Sequence, residues 1–490
     1  MIILFTLNII VKPVWLLLDM QVQKEVGSTY GLYFALLNST VILNILLDLG
    51  MSNYNNRKIS VNNNRFSKYF QNISIIRFGL AILYLLVLQL WGIVAQYTMH
   101  DQMMLFFLGL SQVFLSSLLY VRSNLTAFGK YKLDSLFSVL DRALMIAGVL
   151  YLFSQRDSGL VNIENFIYVQ TIGYGFSFIA GLITLFIIGQ PGIPKINKRF
   201  ARVLLRKSAP YALIVLLMAA YHSSDAIMIE RMLSNGKVEA SIYAQSMRIL
   251  LALNNYAYLF AVLLLPMFSK LLAKKEKIQG LIATSSSLLI YGVSSVAILM
   301  AFFADDVIAL CYGKFNDESI FVDWRLNVEA LQNMGDVLFS ADVFKLIIYG
   351  IIPMSINYCF GTLITASGNM KLLNKIAFAS LLLNIVLNFA LIPKYGAWGA
   401  ALASLITQSF SGAFQVVFAI KLFKLKVNLI GVARFFLGVA IILLSTIFLD
   451  EINLSSRLPV MFGLLLIGLL LAVNFRGVLN MAKGFRNNHN

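Results

Sequence analysis

The chain has 490 residues, of which 59% are hydrophobic and only 12% are charged, and its net charge is +17. Soluble domains carry about 25% charged and about 45–50% apolar residues, so this composition excludes an ordinary soluble globule and a disordered chain. The apolar residues come in long runs rather than in alternation with polar ones, which excludes a transmembrane β-barrel. The sequence therefore predicts an all-α polytopic membrane protein.

Fourteen apolar runs have the length of about 20 residues that a membrane-spanning helix needs. In chain order they cover 1–18, 30–49, 74–96, 103–121, 135–153, 165–189, 208–229, 239–267, 281–304, 343–366, 372–392, 397–420, 429–449 and 458–475. The sequence thus predicts 14 transmembrane helices, which we call spans 1 to 14.

Most Lys and Arg residues fall in the even-numbered connections between these spans and in the C-terminal tail, and the odd-numbered connections hold most of the acids. Cytoplasmic loops are enriched in Lys and Arg, so the pattern predicts that both termini of the multi-pass chain are cytoplasmic. The positive charge is then a topogenic signal that also attracts anionic headgroups of membrane lipids. No nucleic-acid partner is expected, because the basic residues are spread over many short loops instead of one folded face.

Short internal similarities predict a repeat. LTAFGKYK at 125–132 is similar to ITASGNMK at 364–371, and Tyr33 in YGLYFALLN matches Tyr243 in ASIYAQSMR. We therefore expect two six-helix lobes in parallel repeat, a plan common among transporters, followed by two C-terminal helices. The predicted parts are an N-terminal lobe at 1–189 (spans 1–6), a basic cytoplasmic linker at 190–207, a C-terminal lobe at 208–420 (spans 7–12) with a periplasmic loop at 305–342, and spans 13–14 with a cytoplasmic tail at 421–490.

Eight of the charged side chains inside the predicted spans are considered for a role there, because a charge in the bilayer costs about +2.5–3.5 kcal/mol unless it faces a cavity or a partner. They are Lys12, Asp48, Arg77, Asp141, Arg142, Asp225, Arg248 and Lys345. Arg77 and Lys345 lie within a turn of a span end, so we expect both to snorkel to the headgroups. Asp48 is expected to pair with Arg77 or to cap the segment that follows it.

The remaining charges are candidates for function. Asp225 and Arg248 lie at matching depths in spans 7 and 8, so a salt bridge between them is predicted, with either a packing role or a cavity role. His222 lies one turn before Asp225 and titrates near neutral pH, which makes it a candidate proton relay or a packing residue. Asp141 and Arg142 are adjacent and point in different directions, so one is expected to face the cavity and the other a neighbouring helix.

Bases outnumber acids among these eight side chains by five to three, which predicts a cationic cavity suited to an anionic headgroup, since arginine binds phosphate oxygens bidentately. The chain has no G-x-S-x-G, Walker A or H-E-x-x-H motif. Its three histidines and two cysteines are scattered, so neither a metal site nor a cofactor is expected. We do not expect the chain to be an enzyme.

Residues 361–408 resemble the span 10–12 signature of bacterial polysaccharide exporters, with Asn384 and Asn388 in one helix followed by IPKYGAWGAA at 392–401. SSDAIMIERM followed by SIYAQSMRILLAL resembles the span 7–8 pattern, and EVGSTYGLYFALLN followed by LDLGMSNYNNR resembles the span 1–3 region. By these motifs the chain resembles the polysaccharide/O-antigen flippase family. This is the oligosaccharidyl-lipid exporter branch of the multidrug/oligosaccharidyl-lipid/polysaccharide exporter superfamily.

The resemblance implies a two-lobed transporter with alternating access in the bacterial inner membrane. Its substrate would be an undecaprenyl-diphosphate-linked oligosaccharide, moved to the outer leaflet for O-antigen (lipopolysaccharide), capsule or exopolysaccharide synthesis. Arg142, Arg248 and Lys12 would bind the diphosphate or acidic sugars, and Asp225, His222 and Asp141 would couple transport to an ion gradient. A polysaccharide polymerase and glycosyltransferases are the implied protein partners.

Three alternatives stay open. A flippase for lipid-linked peptidoglycan precursors shares the implied fold and the cationic cavity. A drug/cation antiporter of the same fold would need uncompensated acids in the cavity. A membrane glycosyltransferase or ligase, from another functional class, would need acids or a His–Arg pair in a large outer loop, and 305–342 contains no histidine.

Overall fold

The computed structural model describes residues 2–49, 51–52, 59, 66–190, 198–312 and 328–426, together with four positions between 433 and 440. These residues form helices and no strands. The helices are α1 (Ile2–Val26), α2 (Thr29–Leu43), α3 (Ile45–Asp48), α4 (Phe66–Val94), α5 (Met99–Ala127), α6 (Tyr131–Ser154), α7 (Ile163–Gly189), α8 (Lys198–Met232), α9 (Gly236–Ala273), α10 (Gln279–Phe302), α11 (Ala304–Tyr312), α12 (Val328–Tyr349), α13 (Ile351–Ile356), α14 (Thr362–Ala366) and α15 (Met370–Phe423).

The helices agree with the predicted membrane architecture. Predicted spans 1 to 12 all lie on helices, and spans 13 and 14 fall outside the described residues. Within the described part of the chain, nine helices are long and apolar enough to cross a membrane. Large apolar side chains such as Phe78, Ile172 and Ile187 are 69%, 69% and 72% exposed, as expected for helices that face lipid. The all-helical, multi-pass fold is therefore confirmed, and the total of fourteen spans stays a prediction.

Spans 11 and 12 share one long helical segment, α15, which is broken at Gly396. This glycine has φ of 58° and ψ of −136°, a backbone conformation that side chains with a Cβ rarely adopt. A Cβ at Gly399 would lie 2.5 Å from the carbonyl oxygen of Leu391, although a straight helix would separate these residues by about 12 Å. The chain therefore reverses direction at Gly396, and the IPKYGAWGAA motif is a tight helical hairpin whose close approach requires glycine at position 399.

The two segments that suggested an internal repeat form the same turn. Gly129 and Gly368 both have positive φ, of 73° and 80°. The amide of Gly129 donates to the carbonyl of Thr126 over 2.9 Å, and the amide of Gly368 donates to Thr365 over 3.0 Å. A new helix begins two residues after each glycine. The local similarity is thus structural as well as sequential, and the two-lobe repeat as a whole stays a prediction.

The chain divides into two compact units, Met1–Ala244 and Gln245–Asn490. In the first unit α2 packs on α8, α1 on α6, and α5 on α7; in the second, α10 and α15 both pack on α12. Each unit has its own apolar core, formed around Phe66 and Phe137 in the first and around Phe268 and Leu363 in the second. The predicted lobe boundary at 190–207 is not tested by this division.

In the first unit, α2 lies almost backbone to backbone against the start of α9. A Cβ at Gly31 would lie 1.9 Å from the carbonyl oxygen of Lys237. Nearby, the Gln23 side chain donates to the Ser241 carbonyl over 2.9 Å, and the Ser241 hydroxyl donates to the Gly27 carbonyl over 3.2 Å. The turn between α1 and α2 is thereby fixed against the first turns of α9.

We expect Gly31→Ala to destabilise the protein, because the new methyl group forces α2 and α9 apart, a kind of overpacking that costs about 1–3 kcal/mol. The measurement is the thermal unfolding temperature of the purified chain in detergent, which should fall by a few degrees. Gly79→Ala is the matched control, since a Cβ there meets nothing within 4 Å. Equal unfolding temperatures for the two variants would contradict the close packing of α2 on α9.

Candidate functional site

One predicted ion pair is confirmed. The Arg77 guanidinium binds the Asp48 carboxylate through Nη1, and its Nη2 donates to the carbonyl and hydroxyl of Ser116 over 2.8 and 2.7 Å. Asp48 also accepts hydrogen bonds from the amide and hydroxyl of Ser52. The guanidinium carbon lies 4.9 Å from the centre of the Tyr120 ring. Asp48 therefore both pairs with Arg77 and holds the segment that follows it.

The expectation that Arg77 snorkels to the headgroups is wrong. The residue is only 7% exposed and its polar atoms are used inside the protein. The reason is that α4 begins at Phe66, so Arg77 lies three turns inside the helix instead of beside the predicted span start at residue 74. Lys345 differs, because it forms a 3.1 Å ion pair with Asp342 at a partly exposed position, and its snorkelling stays a prediction.

Arg142 is the centre of a second charged cluster, in the first unit. Its guanidinium carbon lies 5.6 Å from the ring centre of Trp15 on α1 and 5.6 Å from the ring centre of Tyr174 on α7. Cations at such distances from aromatic faces are attracted by the ring quadrupole. Arg142 thus bridges its own helix, α6, to two neighbouring helices.

Two carboxylates accompany this arginine. Arg142 interacts electrostatically with Asp141, which precedes it in the sequence, and with Asp19 on α1. Both carboxylates are buried. The hydroxyl of Tyr30 donates to Asp19 over 2.9 Å, and Asp141 accepts the amide of Arg142 over 2.8 Å. We call these residues, with the two aromatic rings that contact the guanidinium, the Arg142 cluster (Trp15, Asp19, Tyr30, Asp141, Arg142 and Tyr174).

The sequence analysis missed Asp19, because it placed the end of span 1 at residue 18. In the structure α1 continues to Val26, and Asp19 lies one helical turn after Trp15. That i, i+4 spacing was the available signal, since it puts both residues on the face of α1 that packs against α6. When Asp19 is added to the eight charges considered in the sequence, the acids number four against five bases, so the predicted cationic excess is smaller.

The other predicted site residues lie elsewhere. Asp225 is fully buried on α8 and accepts a 2.8 Å hydrogen bond from the Tyr243 hydroxyl. His222 stacks against the neighbouring Tyr221 ring, 4.2 Å away, and no described residue forms a hydrogen bond with it. Arg248 belongs to the second unit, so its salt bridge with Asp225 stays a prediction. The side chain of Lys12 lies outside the described residues.

A third cluster joins the connection between α4 and α5 to the end of α8. The Tyr97 hydroxyl donates to Glu230 over 3.1 Å, Arg231 binds the same carboxylate over 2.7 Å, and the Arg231 guanidinium lies 3.6 Å from the Tyr97 ring centre. Burial raises the pKa of the Tyr97 phenol, and the Glu230 carboxylate acts in the same direction, so the phenol stays neutral and donates. Sequence reasoning missed this contact because it joins a short loop to a distant helix.

In the second unit the buried polar groups are mainly uncharged. Asn388 donates to Asn384 over 3.2 Å, and Gln415 donates to Ser411 over 3.2 Å, each pair one turn apart on α15. In the described part of the chain, no group of three or more His, Cys, Asp or Glu residues is placed to hold a metal ion. Among the predicted site residues whose side chains the structure describes, Asp141 and Arg142 belong to one cluster.

Comparison with known proteins identifies the family. A sequence model of the family described as polysaccharide biosynthesis protein matches residues 1–272, more than half of the chain. The chain belongs to this family. The resemblance to polysaccharide exporters found in the sequence is therefore confirmed. A search of curated protein sequences gives no match.

Solved structures of transporters share the fold of this family member. A lipid II flippase, MurJ, in an inward closed conformation matches with a TM-score of 0.73 at 16% identity, over 96% of this chain and 98% of that chain. An inward-facing multidrug resistance MATE family transporter of the MOP superfamily matches with a TM-score of 0.61 at 13% identity, over 84% and 94%. A MOP superfamily transporter from Pyrococcus furiosus matches with a TM-score of 0.56 at 13% identity, over 86% and 94%. The TM-scores show a common fold, and at these low identities the matches show the fold alone.

We expect Arg77→Ala to lower the stability of the protein by about 3–5 kcal/mol, because it leaves the Asp48 carboxylate without its partner. Protein level in membranes and thermal unfolding in detergent are the measurements. The double variant Arg77→Met with Asp48→Leu should recover most of the loss, since it removes both charges together. A single variant as stable as the wild type would show that the ion pair does not hold α3 against α4.

Proposed function

We propose that the chain is a flippase for undecaprenyl-diphosphate-linked oligosaccharide repeat units, which it moves from the inner to the outer leaflet of the bacterial inner membrane for surface polysaccharide synthesis. The observation that carries the proposal is the combination of a polysaccharide biosynthesis family with a fold shared by a lipid-linked precursor flippase. The proposed orientation has both termini in the cytoplasm, and a polysaccharide polymerase and glycosyltransferases are the proposed partners.

The Arg142 cluster is the proposed site for the anionic part of the substrate. Trp15 and Tyr174 hold the guanidinium between two helices, so its position is set before a ligand arrives. A preorganised guanidinium suits a diphosphate, which offers oxygen pairs for bidentate hydrogen bonds. Arg248 and Lys12 are proposed as further cationic contacts along the substrate route.

Asp19 and Asp141 make this site a switchable one. When both are ionised they outnumber the single guanidinium, and the local charge is negative. A proton or a cation bound to one carboxylate weakens its attraction for Arg142 and leaves the guanidinium available to an anionic substrate. We therefore propose Asp141, with Asp19, as the ion-coupling group. Asp225 and His222 are not members of the Arg142 cluster, since Asp225 accepts a hydrogen bond from Tyr243 and His222 contacts the Tyr221 ring.

We expect Arg142→Ala to reduce flipping of lipid-linked oligosaccharide by about thirtyfold or more, because loss of a desolvated charge contact costs about 2–5 kcal/mol. The measurements are surface polysaccharide in a deletion strain and flipping in reconstituted vesicles, both normalised to protein level. Arg156→Ala is the control, since Arg156 pairs with Glu25 at an exposed position. Full activity of Arg142→Ala in both assays would remove the cluster from the substrate route.

The coupling proposal predicts a change in pH dependence. In wild-type vesicles, flipping should rise as the pH falls, because protonation of a carboxylate releases Arg142. Asp141→Asn mimics the protonated state, so its flipping should be nearly independent of pH. His222→Gln should keep the wild-type profile, and a flat profile in His222→Gln with a normal one in Asp141→Asn would reverse the assignment.

A second candidate function is the flipping of lipid-linked peptidoglycan precursors. The structural match to a lipid II flippase favours it, because that relative covers almost the whole chain. The two substrates share the polyprenyl diphosphate and differ in the sugar. Flipping of the two lipids in competition, measured in the same vesicles, distinguishes the two candidate functions. We expect faster flipping of the oligosaccharide-linked lipid.

A further inference from the structure

The second unit contains an apolar groove, which is separate from the Arg142 cluster of the first unit. It has a volume of about 310 Å³ and is lined by residues of α9 and α10 and by Ile351 of α13. Its walls include Tyr256 and Phe260 on α9 and Leu289 and Val296 on α10. Tyr256 and Val296 are both exposed, so the groove is open to the surface of the second unit.

Gly292 lines this groove, and packing does not account for a glycine there. At Gly109, Gly148 and Gly173, an added Cβ would lie within 3.0 Å of a neighbouring side chain, so close helix packing requires a glycine. At Gly292 a Cβ would meet nothing within 4 Å. A glycine inside a helix is destabilising relative to alanine. Because Gly292 lines the groove, a larger side chain at this position would take up part of its volume.

The helices that form the groove meet in a strongly basic hairpin. Lys270 lies in the last turn of α9, and Lys274, Lys275 and Lys277 follow in the connection to α10. The distribution of basic residues predicts that this end is cytoplasmic. The groove residues on α9, from Leu253 to Phe260, lie about 15–25 Å from Lys270 along the helix. An occupant with an anionic head at the lysines and an apolar chain in the groove matches both features.

We propose that the groove between α9 and α10 binds the polyprenyl chain of the lipid-linked substrate, with its diphosphate near the lysine hairpin before transport. This inference rests on the proposed function. The hydrocarbon core of a bilayer is about 30 Å thick, so a chain that starts at the lysines and fills the groove must pass the bilayer centre. Acyl chains of inner-leaflet phospholipids end near that centre, whereas an undecaprenyl chain extends well beyond it.

Chain-length dependence tests the proposal. Binding of undecaprenyl diphosphate and farnesyl diphosphate to the full chain is measured by native mass spectrometry. The wild type should bind undecaprenyl diphosphate at least about tenfold more tightly, because only the longer chain reaches the groove. Gly292→Leu fills the groove and should lower the affinity for undecaprenyl diphosphate about tenfold while leaving that for farnesyl diphosphate unchanged.

Gly280→Leu is the matched control, because Gly280 lies on the same helix and a Cβ there also meets nothing within 4 Å. It should bind both lipids as the wild type does. Equal effects of Gly292→Leu and Gly280→Leu, or an equal loss for both lipids, would overturn the groove proposal and leave the flippase proposal standing. A wild type that binds neither diphosphate would contradict the proposed function itself.

Photo-crosslinking identifies the occupant without filling the groove. Benzoylphenylalanine at Val296 should crosslink a polyprenyl lipid in cell membranes, identified by mass spectrometry. The same probe at Ile172, an exposed apolar position in the first unit, should crosslink phospholipid. Phospholipid, or a peptide of this chain, as the main product at Val296 would refute the assignment.

Discussion

Charged and polar groups inside a membrane protein must find their partners within the protein, because the hydrocarbon around it supplies none. Much of the first unit follows from this constraint. The Arg77 guanidinium binds Asp48 and Ser116 and thereby ties α4 to α3 and α5. Arg142 similarly joins α6 to α1 and α7 through two aromatic rings. The same interactions that satisfy these charges therefore fix the helices that carry them.

The sequence predicted the helical architecture well, because the length of an apolar run is a direct physical requirement of the bilayer. Spans 1 to 12 all fall on helices, and the hairpin motif IPKYGAWGAA marks the chain reversal at Gly396. Helix ends were less predictable. Amphipathic ends continue past the apolar core, as α1 does to Val26 and α4 does from Phe66. Tertiary contacts determine where these helices end, and such contacts cannot be predicted from the local sequence.

Errors at helix ends became errors about the site. Placing the end of span 1 at residue 18 removed Asp19 from the set of buried charges, and placing the start of span 3 at residue 74 turned a buried Arg77 into a headgroup contact. The pairing of Arg142 with Trp15 and Tyr174 could not be predicted, because it depends on which faces of α1, α6 and α7 meet. By contrast, the two alternatives expected for Asp48, pairing with Arg77 and capping the segment that follows, both occur.

Charge balance also limits how such a site can work. A lone arginine in an apolar cavity would hold an anionic substrate tightly, and tight binding in one state slows release in the next. Asp19 and Asp141 provide a competing anion of the protein's own, so the guanidinium always has a partner. Substrate binding then becomes an exchange of one anion for another, and its free energy is a small difference between two large attractions. A proton on either carboxylate shifts that difference, which gives an ion gradient a way to set the direction of transport.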